Sequence, residues 1–181
     1  MGVAAQKQVN AWFGGDRTVE QQLMGLDWLW ANCKGRTVLD AGCAEGVIAI
    51  KCAEAGAIAV HGVDLVPERV KVGNRLRGDL PITFEVGNMD VWRPKRQYDI
   101  VLGLSILHKL RDPSACAVAL ANAARHAIML RLPPVGAPSI TDRRSGGVPH
   151  RIGEVVEACG FTLEHQSNGG PFGEWVGLWT R

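Results

Sequence analysis

Short apolar runs alternate along this chain with stretches whose hydrophobic residues recur at helical spacing. The unbroken apolar run at 100–104 is typical of a strand buried on both faces of a sheet. Alternation in five β-α units predicts a parallel sheet with helices on both faces and right-handed crossovers. The predicted strands of these units lie at 37–39, 59–64, 82–86, 100–104 and 127–132, and helices are predicted at about 45–55, 67–77 and 113–125.

The start of the chain departs from this alternation. Residues 1–17 are irregular and form a separate N-terminal segment, a candidate lid, before a single domain over 18–181. Thr18 is a predicted N-cap, with Gln21 as its capping-box partner. An amphipathic helix is predicted from there to about Asn32, and we expect it to cover one edge of the sheet.

The end of the chain predicts a change in strand direction. Residues 133–149 are rich in proline and glycine, and a long irregular stretch of this kind is usually functional or mobile. A helix at about 150–159 follows it. The last two strands are predicted at 161–165 and 175–180. Because only about nine residues separate these strands, they are expected to form an antiparallel hairpin.

Composition narrows the functional classes. The chain has 181 residues, 46% hydrophobic and 21% charged, and a net charge of +2 gives no strong signal for nucleic acid. It contains neither an apolar run long enough to span a membrane nor the apolar core of a secretory signal. Five scattered cysteines without a C-x-x-C pair argue against zinc sites and disulfide scaffolds, and no metal is expected. Free thiols fit a cytoplasmic location.

The most informative stretch is the glycine loop Val38–Gly46, which reads VLDAGCAEG. A buried strand runs into an acid, a glycine turn and a helix start. We expect such a loop to turn backbone N–H groups and a helix N-terminus toward a ligand above the strand ends. The carboxylate of Asp40 suits a ligand with a cationic amine at least as well as one with a phosphate.

Two further polar positions follow predicted strands. Asp64 can accept hydrogen bonds from both hydroxyls of a ribose, or it can cap the helix that starts at Pro67. The side chain of Asn88, or that of Asp90 as the alternative, can accept a hydrogen bond from an amino group of a ligand, or the Gly87–Asn88 pair can form an ordinary turn.

These motifs together resemble those of the class I S-adenosylmethionine-dependent methyltransferases, over about residues 20–181. Residues 40–46 resemble the first motif of that family, apart from Ala44, which stands where the family often has glycine. The stretch 98–110, followed by Asp112-Pro113, is similar to the fourth-strand motif of the small-molecule and tRNA-wobble branch. The terminal hairpin also matches the reversed seventh strand of the family.

The resemblance implies a fold, a cofactor and a set of contacts. The fold is α/β, a three-layer doubly wound sheet of seven mostly parallel strands in the order 3-2-1-4-5-7-6. The cofactor is S-adenosylmethionine, with S-adenosylhomocysteine as its product. The implied cofactor-binding residues are Asp40, Gly42, Cys43, Ala44, Gly46, Asp64, Leu65, Asn88, Met89, Asp90 and Leu104.

The acceptor side of the site is less defined by the sequence. His108 follows the fourth strand and could take a proton from a nucleophile, or it could be a buried or capping histidine. The arginines of and near the 133–149 loop could clamp an anionic substrate, or they could simply be solvated. The candidate substrate-binding residues are Trp12, Ser105, Arg131, Arg143 and Arg144.

Three functions remain open at this level. The first is methyl transfer to an oxygen or nitrogen of a small molecule or modified nucleotide, without a membrane and with a homodimer as one open assembly. The second is a nicotinamide-dependent oxidoreductase domain, disfavoured because the chain has no room for a second, substrate-binding domain. The third is a non-catalytic partner subunit that binds S-adenosylmethionine.

Overall fold

A mixed sheet organises the computed structural model, which describes residues 17–133, 148–170 and 173–181. The strands are β1 (Thr37–Ala41), β2 (Ala59–Asp64), β3 (Ile82–Val86), β4 (Tyr98–Leu104), β5 (Ala124–Leu132), β6 (Thr162–Ser167) and β7 (Trp175–Thr180). The helices are α1 (Val19–Leu23), α2 (Asp27–Asn32), α3 (Val47–Glu54), α4 (Pro67–Leu76), α5 (Pro113–Ala123) and α6 (Val148–Ala158), with a short 3-10 helix at Leu107–Lys109.

The strand order is β3-β2-β1-β4-β5-β7-β6, which confirms the predicted fold class and sheet order. β1 pairs in parallel with both β2 and β4. β7 runs antiparallel between β5 and β6, so the terminal hairpin is also confirmed. The strand order reverses beside β1, and open α/β sheets bind ligands at the carboxyl ends of the strands at such a switch point.

Apolar clusters cover both faces of the sheet. One cluster contains Leu29 from α2 and Ile50 from α3, and the other contains Leu120 from α5 and Val156 from α6. Ile100 in β4 is completely buried between these layers. The three-layer arrangement leaves the strand ends, and not the sheet faces, as the place where functional side chains can gather.

The predicted continuous helix over 18–32 is wrong, because the chain turns at Met24–Gly25 and forms two short helices. The capping box is present: the Thr18 hydroxyl accepts from the backbone N–H of Gln21, and the Gln21 side chain accepts from that of Thr18. The break has a specific cause in the buried guanidinium of a β5 residue, described next.

Arg131 holds this turn from inside the domain. It is 1% exposed, and its two terminal nitrogens donate to the backbone carbonyls of Gln22 and Met24. Those carbonyls belong to the end of α1 and to the residue after it. The guanidinium therefore supplies hydrogen bonds that backbone N–H groups would supply if the helix continued. Leu26 and Leu29 are then buried in the cluster that includes Leu178 of β7. The second helix therefore packs on a face of the sheet, whereas a position at its edge was predicted.

The count of five β-α units is wrong at β3. Residues 87–97 connect β3 to β4 through turns, without a helix. The Asn88 carbonyl accepts from the N–H groups of Val91 and Trp92, and the Trp92 indole donates to Glu85 at 3.0 Å. This short connection places the residues after β3 close to the carboxyl end of the sheet.

The helices in the described part of the chain are too short or too polar to span a membrane.

Candidate functional site

The loop after β1 is fastened to its neighbours through Gly42. This residue has a φ of +79°, and an added Cβ would lie 2.9 Å from the Cβ of Ile106, which follows β4. Its N–H and that of Cys43 donate to the carbonyl of Val63 at 2.8 and 3.0 Å. Glycine is therefore needed at this position both for the turn and for the close approach of the loop to the end of β4.

Gly46 closes the loop and begins α3. Its φ is +82°, and an added Cβ would lie 2.3 Å from the ring of Phe84 in β3. The same ring lies against Gly62 and Gly73, where an added Cβ would approach it to 2.5 and 3.1 Å. Three glycines from the loop, β2 and α4 therefore make room for one aromatic ring, which fixes the loop against the sheet.

Four of the five N–H groups of residues 42–46 are already bonded within the protein. Besides Gly42 and Cys43, Ala44 donates to the Asp64 carboxylate at 2.9 Å, and Gly46 donates to the carbonyl of Cys43 at 2.9 Å. The expectation that the loop points its N–H groups at a ligand is wrong for these four residues. A phosphate would find few donors here, since such loops bind anions through unpaired N–H groups.

Three buried carboxylates lie in the loop or directly beside it. Asp40, Glu45 and Asp64 are 2%, 4% and 7% exposed. Burial, and then the charge of Asp64, raise the pKa of Asp40 to about 7. Burial also raises the pKa of Glu45, an effect that the nearby Arg69 guanidinium opposes at 3.4 Å. The loop therefore concentrates acidic groups with little access to water, and burial opposes the ionisation of Asp40 and Glu45.

Asp40 has an unused hydrogen-bonding oxygen in this environment. Its Oδ2 is buried and has no partner among the described residues. Buried polar atoms are rarely left without a partner, and an exception calls for a water, an ion or a ligand. A cationic N–H donor would satisfy this oxygen and also stabilise the ionised carboxylate.

Asp64 uses both of its oxygens to organise the loop. Oδ2 accepts from Ala44, and Oδ1 accepts from the N–H of Val66 at 3.0 Å, just ahead of Pro67 and α4. The second contact is a turn within the chain ahead of the helix: the N-cap of α4 is Val66, and no side chain caps this helix, so Asp64 is not its cap. Each carboxylate oxygen can accept more than one hydrogen bond, so capacity for a ligand hydroxyl is left.

Ala44 adopts a backbone conformation that favours glycine, with a φ of +49°. We predict that Ala44→Gly stabilises the protein by about 0.5–1 kcal/mol. Relief of left-handed strain gives about 1–2 kcal/mol, and the greater freedom of glycine in the unfolded chain offsets part of it. Denaturant unfolding measures the difference. Ala59→Gly, in β2, is the control and should destabilise; a loss of stability in both variants would contradict the prediction.

The loop after β3 is organised by its own polar side chains. Asn88 is exposed, and its side-chain oxygen accepts from the N–H of Asp90 at 3.0 Å, which is an ordinary Asx turn. The Asp90 carboxylate accepts from the N–H of Arg111 at 2.8 Å. Met89 is buried at 3% exposure. One oxygen of Asp90 is thus committed to a contact that joins this loop to the segment after β4.

The remaining predicted cofactor residues differ in exposure. Leu65 is 61% exposed, directly after the carboxylate of Asp64, which is unusual for a large apolar side chain. Leu104 is buried at the end of β4. Cys43 is buried beside the three carboxylates, and burial followed by their charges raises the pKa of its thiol. His108 lies in the 3-10 helix after β4 and is 7% exposed.

Ser105 joins a buried polar cluster beyond the end of β4. Its φ is +62°, which is rare outside glycine, and its N–H donates to the carbonyl of Arg131. Its hydroxyl donates to Glu174 at 3.1 Å and accepts from Arg17 at 2.9 Å. Arg17 also pairs with Glu174 at 2.6 Å. We use the name Glu174 cluster for Arg17, Ser105, Arg131 and Glu174.

The sequence did not mark Glu174, Arg17 or Glu45 as site residues. Glu174 is an isolated acid between a glycine turn and the apolar strand β7, and no pattern sets it apart. Glu45 stands inside the glycine loop, so its position there was an available signal. The predicted substrate residues Trp12, Arg143 and Arg144 lie outside the described residues. The described residues contain no group of three or more potential metal ligands placed to hold an ion.

Comparison with known proteins identifies the kind of domain. Residues 38–127 match a family model described as a methyltransferase domain. The chain is 34% identical over 87 residues to ribosomal protein L11 methyltransferase of Laribacter hongkongensis, covering 48% of this chain and 29% of that protein. It is 30% identical over 103 residues to ubiquinone biosynthesis O-methyltransferase of Bordetella avium, covering 53% and 42%. The chain spans less than half the length of these curated relatives.

The fold is similar to that of solved methyltransferases over nearly its whole length. Magnesium protoporphyrin IX methyltransferase from Synechocystis PCC 6803, crystallised with bound SAH, superposes with a TM-score of 0.72. The identity is 21%, and the match covers 99% of this chain and 84% of that one. At this identity the likeness concerns the fold, and the acceptors of these proteins differ widely.

Proposed function

This chain belongs to the class I S-adenosylmethionine-dependent methyltransferases, and on that premise we propose that it transfers a methyl group to an oxygen or nitrogen nucleophile. The acceptor we propose is a small molecule or a modified nucleotide. S-adenosylmethionine is the cofactor of the family, and it supplies a methyl group already activated on a positively charged sulfur.

One observation carries the proposal: the glycine loop contains two buried carboxylates and contacts a third, while most of the N–H groups of residues 42–46 are occupied. Asp40, Glu45 and Asp64 are acidic groups whose ionised forms a bound cation would favour, and four of the five N–H groups of residues 42–46 bond to protein acceptors. A dinucleotide would bring a pyrophosphate to this place, where it would meet repulsion and few donors. A ligand with an ammonium and a sulfonium fits both features.

Individual residues are suited to different parts of such a cofactor. We assign the buried Oδ2 of Asp40 to the ammonium of its amino-acid end. Asp64 retains acceptor capacity for the ribose hydroxyls, and the exposed side chain of Leu65 offers an apolar surface for the adenine. Asn88 and Asp90 are the candidates for polar contacts with that base, in a loop that they stabilise themselves.

The protein's part in the reaction is mainly alignment. Methyl transfer from a sulfonium is an in-line displacement, and well-oriented reactants can gain roughly 7–11 kcal/mol from positioning alone. The fixed loop, the buried carboxylates and the apolar end of β4 would orient the cofactor and exclude water. His108, buried after β4, is the candidate general base where an acceptor proton has to be removed.

Ligand binding tests this proposal directly. We expect calorimetry at pH 8 to show S-adenosylhomocysteine binding to the full chain and no binding of NAD⁺ at the same concentrations. The reverse preference would contradict the proposal and favour an oxidoreductase. Incubation with labelled S-adenosylmethionine and a fractionated cell extract then separates an enzyme from a binding subunit. Label entering a small-molecule or RNA fraction supports transfer, and cofactor binding without transfer to any fraction favours a non-catalytic partner.

A further inference from the structure

The Glu174 cluster contains two buried groups that the cofactor assignments do not use. Glu174 is 4% exposed, and its Oε1 accepts from both Arg17 and Ser105. Its Oε2 is buried and has no hydrogen-bond partner among the described residues. The Nε of Arg131 is likewise buried without a partner there. An acceptor and a donor therefore both lack a partner within one cluster.

The cluster lies at the same edge of the sheet as the glycine loop. Ser105 is the first residue after β4, and the next residue, Ile106, contacts Gly42 of the cofactor loop. Arg131 pairs with Leu104 in the neighbouring strand β5, and Glu174 directly precedes β7. The cluster thus occupies the carboxyl end of β4 and the adjoining strands, on the side of the loop away from Asp64 and β2.

The shape of the cluster is enforced by the backbone around it. Ser105 has a φ of +62°, and a non-glycine residue in that region costs of order 1–3 kcal/mol unless its surroundings hold it there. Gly170 packs so closely on Glu174 that an added Cβ would lie 2.5 Å from the Cβ of that residue. Strain and close packing of this kind are frequent where a site must hold its groups in one arrangement.

Charge balance narrows the chemistry that the cluster can receive. The cluster has two arginines and one glutamate. Burial lowers the pKa of Arg131, the charge of Glu174 opposes this effect, and the charge of Arg17 adds to it. The local charge is therefore net positive, which disfavours a cationic amine. The Glu174 oxygen needs a donor, and the Arg131 Nε–H needs an acceptor. A hydroxyl group is both donor and acceptor.

We propose that Glu174, oriented by Arg17 and Ser105, binds a hydroxyl group of an uncharged or anionic methyl acceptor, with Arg131 as the second contact. This inference rests on the proposed function and narrows its acceptor to a hydroxyl-bearing molecule. Glu174 is a specificity-determining residue in this account, and the hydroxyl is an anchor of the acceptor. A site built to bind a hydroxyl rejects the analogue that lacks its donor, because its own buried groups are then left unpaired.

Phenol, anisole and benzylamine serve as probes, because they share a ring and differ in the polar group. Anisole can accept but not donate a hydrogen bond, and benzylamine is a cation. On the full chain saturated with S-adenosylhomocysteine, ligand-observed NMR should show saturable phenol binding at least tenfold tighter than anisole binding. Benzylamine should bind more weakly than phenol. Equal binding of phenol and anisole, tighter binding of benzylamine, or no saturable phenol binding would overturn the inference.

A substitution at Glu174 tests whether this residue causes the preference for phenol over anisole. Glu174→Gln keeps an oxygen for Arg17 and Ser105 but replaces the unused oxygen with a donor, so the preference of phenol over anisole should fall to less than twofold. Glu164→Gln, in exposed strand β6, is the matched control and should keep the preference. An unchanged preference in Glu174→Gln would overturn the inference. If that variant fails to fold, the relative affinities of phenol, anisole and benzylamine for the natural chain test the inference by themselves.

The two proposals fail separately in this design. Binding of S-adenosylhomocysteine is measured first, and its absence would count against the proposed function. Cofactor binding without a Glu174-dependent hydroxyl preference would leave the proposed function in place and remove only the acceptor assignment.

Discussion

Asp40→Asn is expected to weaken S-adenosylhomocysteine binding by roughly 10–100-fold at pH 8, which corresponds to about 1.5–3 kcal/mol for a hydrogen bond to a charged group. The carboxylate of Asp40 is buried, and its Oδ2 has no partner among the described residues. Asparagine has a similar size but lacks the negative charge that we assign to the ammonium of the ligand. Isothermal titration of both proteins measures the loss.

The same substitution should stabilise the protein without ligand. The pKa of Asp40 is raised to about 7 by burial and by Asp64, so the folded protein holds this proton more tightly than the unfolded chain does. Stability from this group is fully present below pH 4 and is lost as pH rises through about 7. At pH 8 the asparagine variant should therefore exceed the natural protein by roughly 2–4 kcal/mol.

The pH dependence provides the control for both effects. The stability gain of Asp40→Asn should shrink as pH falls from 8 to 5, because the natural carboxyl then takes up its proton. Affinity of the natural protein for S-adenosylhomocysteine should rise with pH up to about 7, since a cation binds the ionised form. Asp79→Asn, at an exposed position, should change neither property. A variant that binds as tightly as the natural protein at pH 8 would remove Asp40 from the site.

Gly46→Ala should lower the free energy of unfolding by about 2–5 kcal/mol. The left-handed φ of +82° contributes about 1–2 kcal/mol for a residue with a Cβ. The collision of that Cβ with the Phe84 ring, at 2.3 Å, adds about 1–3 kcal/mol of overpacking. Urea unfolding measures the change, and a loosened loop should also reduce cofactor affinity.

Gly35→Ala isolates the contribution of the backbone. Gly35 has a similar φ of +74°, but nothing lies within 4 Å of an added Cβ, so only the strain of about 1–2 kcal/mol should appear. Adding Phe84→Leu to Gly46→Ala should recover part of the loss, because the smaller side chain makes room. The ring-packing explanation fails if Gly46→Ala costs no more than Gly35→Ala.

Local patterns were sufficient for most of the fold. The strands β2, β3 and β7 have the bounds that the sequence pattern predicted. Most of β7 is buried, as its apolar run predicts, whereas β3 at the edge of the sheet alternates between buried and more exposed residues. The sequence also predicted two helix N-caps correctly. Asp112 accepts from the N–H of Ala115 at the start of α5, and Thr18 forms its capping box with Gln21. These signals are local, so the sequence alone contains them.

Where local signals failed, a distant side chain made the difference. Residues 18–32 have the periodicity of a continuous helix. Arg131, more than 100 positions further along the chain, nevertheless donates hydrogen bonds to the carbonyls of Gln22 and Met24, where the helix is interrupted. No pattern near residue 24 records that contact. The connection after β3 likewise lacks a helix because Asn88 and Trp92 close it with turns.

The sequence by itself determined the order of the elements, the glycine loop and the acids at the strand ends, because each depends on residues close together in the chain. Only the tertiary structure decided what those residues do. It showed that Asp64 occupies the Ala44 N–H, that Asp40 retains an unused buried oxygen, and that Glu174 joins Ser105 across 69 positions. Burial and partnership are properties of the packed chain, and they set the charge and hydrogen-bonding capacity from which function follows.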